Sequence, residues 1–201
     1  MTAPLPTERP PPAFLFDLDG TLVDSVYHHV LAWNEALQAT GLPLSVWRIH
    51  RRIGMSGGLF ANALQRDLGR EIDPNVIVEL RKRHAAAFNA TSHTIQPLPG
   101  AIKLLETLTE YGVKWAIATS GRLETARPNI ERLGVDIENC MVVGDSIWDL
   151  MAARRARALG IGVLSGGYGE DELEKAGAYR VYEDPADLLR HLDEVGVRRP
   201  T

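Results

Sequence analysis

Four short apolar runs constrain this chain more than anything else in it: AFLF at 13–16, VKWAIAT at 113–119, CMVVG at 140–144 and GIGVL at 160–164. They are continuous rather than alternating, and they end in Gly, Ser, Thr or Asp, the pattern of strands buried on both faces. A weaker fifth run is AYRVY at 178–182. Helical patterns fall between them, PGAIKLLETLTEYG at 99–112, SIWDLMAARRARALG at 146–160 and DPADLLRHLDEVG at 184–196. Their Pro or Asp starts and Gly stops are helix punctuation. Strands alternating with helices predict an α/β fold, a three-layer core with an open parallel sheet between helices.

Residues 26–96 break that rhythm with YHHVLAWNEALQATG, GGLFANALQRDLG and PNVIVELRKRHAAAFNAT, amphipathic stretches without a convincing strand. The expected organisation is a Pro-rich, poorly ordered lead-in over 1–12, an α/β core from 13–25 and 97–201, and a helical domain inserted over 26–96. A length of 201 residues accommodates a main core plus a smaller insert.

Charge and cysteine usage narrow the function classes. A formal net charge of −4 leaves no basic footprint for nucleic acid, and RRAR at 154–157 reads as a solvated helix face. No stretch approaches the roughly 18 apolar residues of a membrane span, and MTAPLPTERPPPA lacks the apolar centre of a signal peptide. The single cysteine, Cys140, cannot form an internal disulfide, which fits a reducing cytoplasm. It reads as a buried structural thiol.

The chemistry gathers where the strands end. Asp17 and Asp19 follow the first strand two residues apart and so start on one face. At about 4 Å and an effective dielectric near 20 such a pair repels by about 4 kcal/mol, which points to a cation between them. The second strand ends at Thr119 and Ser120, and the third at Gly144 and Asp145, with Asp149 one turn on. Ligands of open parallel sheets bind outside the carboxyl ends of the strands, so the three sets are expected to converge.

DLDGT at 17–21, AIATS at 116–120 and GDSIWD at 144–149, in that order, resemble the first, second and fourth motifs of the haloacid dehalogenase superfamily, phosphatase and β-phosphoglucomutase-like branch. The insert falls where that family carries a helical cap. The resemblance implies a Rossmann-like core, Mg2+ as cofactor and a small phosphorylated metabolite as partner. It makes Asp17 the nucleophile that takes a phosphoryl group and Asp19 the general acid and base, which also offers its backbone carbonyl to the metal. Asp145 would complete the metal site beside Asp17, Asp149 would support it, and Thr119, Ser120 and Gly20 would hold the phosphoryl oxygens. Asp19 separates phosphate transfer from dehalogenation, whose halide leaving group needs no proton.

One departure stands out. The family's third motif supplies a Lys after an extra strand, yet only about 20 residues separate Ser120 from Met141, and no Lys occurs between Lys114 and Lys175. One edge βα unit is therefore expected to be missing. Arg127 or Arg122 is the candidate substitute, although a guanidinium is a broad fork and an ammonium a compact charge. The alternative is a catalytically weakened relative that binds ligands without turnover.

In the cap, His29, Arg52 and Lys82 are substrate candidates, Trp33 and Trp47 are expected to pack the cap core, and the adjacent His28 and His29 should diverge on a helix. SGGYGEDEL at 165–173 reads as a flexible loop on the rim of the site. A β-phosphoglucomutase-like mutase is the nearest alternative, but where its cap Arg would align this chain has Gly57, and GDSIWD is the phosphatase form of the fourth motif. The expectation is a Mg2+-dependent phosphatase of a small phosphomonoester.

Overall fold

The computed structural model describes residues 12–55, 57–118 and 140–197. Its sheet has five parallel strands, β1 (Ala13–Phe16), β2 (Trp115–Ile117), β3 (Cys140–Gly144), β4 (Leu159–Val163) and β5 (Ala178–Tyr182), in the order β2-β1-β3-β4-β5. All four pairings are parallel. Among the described residues β2 is an edge strand beside β1. It is shorter than the run at 113–119, whose last residue lies outside the described residues.

Side-chain alternation explains why these strands read as continuous apolar runs. Phe14 and Phe16 of β1, Val143 of β3 and Ile161 and Val163 of β4 enter one buried cluster with Leu104, Leu108 and Leu188. Those leucines come from α5 (Ala101–Glu110) and α8 (Pro185–Arg190). Ala13, Leu15 and Cys140 face the other way, on the side covered by α6 (Ile147–Ala156) and α7 (Glu170–Ala176). There a Cβ on Gly160 or Gly162 would come within 2.9 Å of Leu150 or 3.0 Å of Leu173, so glycine lets both helices lie close to β4. Cys140 is buried. The last helix stops at Arg190, and a 3-10 turn over Leu192–Val195 completes what the sequence suggested as one longer helix.

Between β1 and α5 the chain forms α1 (Val26–Ala39), α2 (Val46–His50), α3 (Gly57–Leu68) and α4 (Pro74–Thr91). Val30, Leu37, Ile49, Phe60, Leu64 and Leu80 close a second, separate apolar cluster. Asp73 caps α4, accepting from the Asn75 N–H at 2.7 Å with Pro74 in the first position. The two crossings into this helical segment run side by side. The Asp24 N–H donates to the Gln96 carbonyl and the Leu98 N–H to the Leu22 carbonyl, both at 2.9 Å. Trp33 packs against the second cluster as expected, but Trp47 does not. It is 64 % exposed, because α2 is a single turn and a half that turns only Ile49 inward.

Leu104→Ala leaves a cavity under the sheet with little room for collapse. Urea unfolding should show a loss of about 2–5 kcal/mol.

Candidate active site

The register of β1 against β3 sets the site. Phe16 pairs with Val143, and the Asp17 N–H donates to the Val143 carbonyl at 2.8 Å. Asp17 and Asp145 therefore leave neighbouring strands at one level, and the first turn of α6 brings Asp149 back to them. One carboxylate oxygen of each lies within 4.8 Å of the others. The expected convergence of Asp17, Asp145 and Asp149 is present in space.

Local bonds hold these like charges in place. The Thr21 hydroxyl donates to Asp145 Oδ1 at 3.2 Å. Asp149 Oδ2 accepts from the Ser146 N–H at 3.1 Å and the Ser146 hydroxyl at 2.6 Å, which makes it half of the capping box that starts α6. Asp149 thus serves the helix and the cluster together. Burial first, then the neighbouring carboxylates, push Asp17 and Asp145 well above the ordinary carboxylate range. Burial also raises Asp149, against the Ser146 bonds that lower it. The donor set is all oxygen, the preference of a hard divalent cation, and such an ion would relieve the repulsion that raises these groups. The residues fit a metal.

Asp19 is held apart from the cluster. Its Oδ1 accepts from the Ser25 hydroxyl at 2.5 Å and lies 3.2 Å from His29 Nε2. Desolvation would raise it, but the bonds from His29 and Ser25 outweigh that and hold the carboxyl below its usual value. His29 Nδ1 lies in turn 3.1 Å from His84 Nε2, and its ring stacks on Phe88 at 4.0 Å. Burial and the nearby His29 push His84 down to about 4, so it is neutral at pH 7. His28 points elsewhere, to Thr94.

The segment after β4 is part of the site rather than a flexible rim. Leu164–Gly166 form a 3-10 turn, and the Ser165 hydroxyl donates to the Gly20 carbonyl at 2.5 Å. Gly20 has φ +83°, and a Cβ there would come within 2.7 Å of Asp145. At Gly166 a Cβ would lie 1.6 Å from Asp145 Oδ2, so only glycine fits. The same segment meets the helices between β1 and α5. His50 Nε2 lies 3.1 Å from the Gly166 carbonyl, and the Tyr168 hydroxyl donates to the Arg51 carbonyl at 3.1 Å. Arg51 grips both oxygens of Glu172, at 2.5 and 3.3 Å, with its guanidinium 4.3 Å over the Tyr168 ring.

A cavity of about 280 Å³ opens between the acids and the helical segment, with Asp17, Asp19, Asp145 and Ser146 among its walls. His29 and Arg52 line it too. The Arg52 guanidinium is turned to the Arg48 carbonyl and the Asp67 carboxylate. Lys82 is exposed on α4 and does not line the cavity, whereas Arg81 and His84 do. The helical register carries the signal that would have found them. Ile77, Leu80, Arg81 and His84 stand at i, i+3, i+4 and i+7 on one face, and Lys82 lies about a hundred degrees off it. Thr119, Ser120, Arg122 and Arg127 lie outside the described residues.

A parallel α/β sheet with carboxylates from two strand ends under a helical segment defines a hydrolase of the haloacid dehalogenase type. The model of the haloacid dehalogenase-like hydrolase family matches residues 11–134, and a second HAD-hydrolase-like model matches residues 123–195. The chain belongs to this family. It is 29 % identical over 197 residues to a phosphoglycolate phosphatase of Agrobacterium fabrum, covering 80 % of this chain and 84 % of the relative. It is 32 % identical over 136 residues to hexitol phosphatase A of Escherichia coli, covering 67 % of this chain and 60 % of the relative. A solved hydrolase from Pseudomonas syringae is 46 % identical, with a TM-score of 0.88 over 92 % of this chain and 100 % of that one. As a member of this family the chain is a hydrolase, and both of these curated relatives are phosphatases by name. No helix among the described residues is long and apolar enough to cross a membrane.

Gly166→Ala should displace the Asp145 carboxylate and lower metal affinity, read as a right shift of metal activation while the circular dichroism spectrum is kept. The raised Asp17 and Asp145 contribute stability below the ordinary carboxylate range and lose it as pH rises through their raised values. In EDTA, thermal melting should therefore show a contribution that falls from acid toward neutral pH. Asp145→Asn should flatten it, with a Tm at neutral pH higher by about 2–4 °C for each kcal/mol of repulsion removed.

Proposed function

We propose that the chain is a Mg2+-dependent phosphatase that hydrolyses a small phosphomonoester through a phosphoaspartate on Asp17. The observation that carries this reading is the meeting of Asp17, Asp145 and Asp149 within 4.8 Å at the strand ends, on the floor of the cavity. Residues 26–96 act as a cap over the core, residues 13–25 and 97–201.

Asp17, Asp145 and the Asp19 carbonyl would hold the ion, with Asp149 behind them. When bound, Mg2+ would supply positive charge that offsets the carboxylates and the phosphoryl group. The Asp17 carboxylate attacks phosphorus, the bond from phosphorus to the ester oxygen breaks, and Asp19 gives that oxygen its proton. Water then attacks the phosphoaspartate, Asp19 takes the water's proton, and inorganic phosphate leaves with Asp17 restored. With His29 and Ser25 holding Asp19 ionised, this arrangement favours the proton-accepting half. Proton delivery requires loosening the His29 contact. Gly20, Thr119 and Ser120 are assigned to the phosphoryl oxygens. Arg122 or Arg127 is assigned to the charge that the family's third-motif Lys would carry. The buried Cys140 is in keeping with a reducing cytoplasm.

The mutase alternative needs a cap cation that grips a second phosphate. Arg52 is engaged with Asp67 and the Arg48 carbonyl and Arg81 also lines the cavity, but Gly57 stands where the mutase's cap Arg would align, which supports hydrolysis.

Turnover of p-nitrophenyl phosphate should stop with EDTA and return with Mg2+. Asp17→Asn should abolish it, and Asp19→Asn should lower kcat by about 10²–10⁴. Full activity of Asp17→Asn, or turnover indifferent to chelation, would overturn the reading.

A further inference from the structure

The cavity has two unlike halves. Its floor is oxygen-rich, with Asp17, Asp19 and Asp145, and suits a phosphoryl group and a cation. Above it stand Trp33, Ile53, Met55, Phe60, Ile77 and Leu80, drawn from α1, the α2–α3 connection, α3 and α4. This roof is continuous with the apolar cluster of the helical segment, where Phe60 and Leu80 are buried members and the other four pack against it.

Several polar side chains in the upper half are already committed to the protein. Both ring nitrogens of His29 are taken, Nε2 by Asp19 and Nδ1 by His84. His84 is neutral and stacked 4.1 Å from the Trp33 ring. Two of the three Arg52 guanidinium nitrogens bond the Arg48 carbonyl and the Asp67 carboxylate; its Nε is a buried donor with no partner among the described residues, and Arg81 also stands on this wall. A leaving group rich in hydroxyls would give up water here for few protein partners. Each hydroxyl left unsatisfied costs roughly ten-fold or more in binding. An apolar body gains instead, by about four-fold for each buried methylene. The volume, about 280 Å³, stands at the small end of ligand pockets, roughly 300–1,000 Å³, and part of it belongs to the phosphoryl group.

We propose that this roof selects phosphomonoesters of compact apolar alcohols, one aromatic ring or a branched aliphatic chain in size, over those of hydroxy acids and polyols. The proposal rests on the phosphatase reading above. It assigns Met55 and Ile77 as specificity residues and sets this chain apart from the phosphoglycolate and hexitol phosphatases it resembles.

The test is kcat/KM of the full chain with Mg2+ on benzyl phosphate and 3-methylbutyl phosphate against 2-phosphoglycolate, glycerol 3-phosphate and sorbitol 6-phosphate. All are esters of alkyl alcohols, so leaving-group acidity differs little. The expected result is a preference of ten-fold or more for the two apolar esters. Met55→Gln, nearly equal in volume, should narrow that preference, chiefly through KM of the apolar esters, and Ile77→Thr should do the same. Equal or better turnover of the hydroxylated esters, with p-nitrophenyl phosphate still hydrolysed, overturns the proposal and leaves the phosphatase reading standing. No Mg2+-dependent turnover of any ester, p-nitrophenyl phosphate included, overturns both.

Discussion

The crowding of three carboxylates at the strand ends, Asp145 buried and the other two half-buried, is the constraint on which this site depends. Asp17, Asp145 and Asp149 stand within 4.8 Å of one another, where burial strengthens every charge interaction. Much of the surrounding structure holds them together against that force. The β1–β3 register levels the two strand ends, Thr21 donates to Asp145, and Ser146 donates twice to Asp149. The N-terminus of α6 adds the favourable end of its dipole. Gly20 and Gly166 let the backbone close around Asp145 where any side chain would collide with it. A divalent cation bound here would relieve the repulsion among these carboxylates.

The helical segment joins this floor through contacts of modest strength. The Arg51–Glu172 pair is between a third and two fifths exposed, and ion pairs so open to water contribute little, commonly about 0–1 kcal/mol. His50 to the Gly166 carbonyl and Tyr168 to the Arg51 carbonyl are single hydrogen bonds. Together they hold the segment over the acids. His29 links both halves, since it sits on α1 and contacts Asp19.

Much of the fold was legible in the chain because burial on both faces of a parallel strand leaves an unmistakable apolar run. AFLF, CMVVG, GIGVL and AYRVY became strands within a residue of their runs. The acids were legible for a related reason, as charges standing directly after such runs. Less legible were the contributions of long-range packing. Ser165 and Gly166 looked like a loose loop, yet they close the wall beside Asp145. Trp47 looked like cap core but lies on the outer side of a helix too short to bury two faces. On α4, helical phase turns Arg81 and His84, and not the substrate candidate Lys82, to the cavity.

By itself the sequence determined the sheet, the order of its strands along the chain and the chemistry at their ends, because apolar period and the residues after each run are local properties. Which acids meet at the strand ends, how His29 and His84 hold Asp19, and how apolar the roof above them is were decided only in three dimensions. Those properties depend on distances between segments up to more than a hundred residues apart, and packing alone sets them.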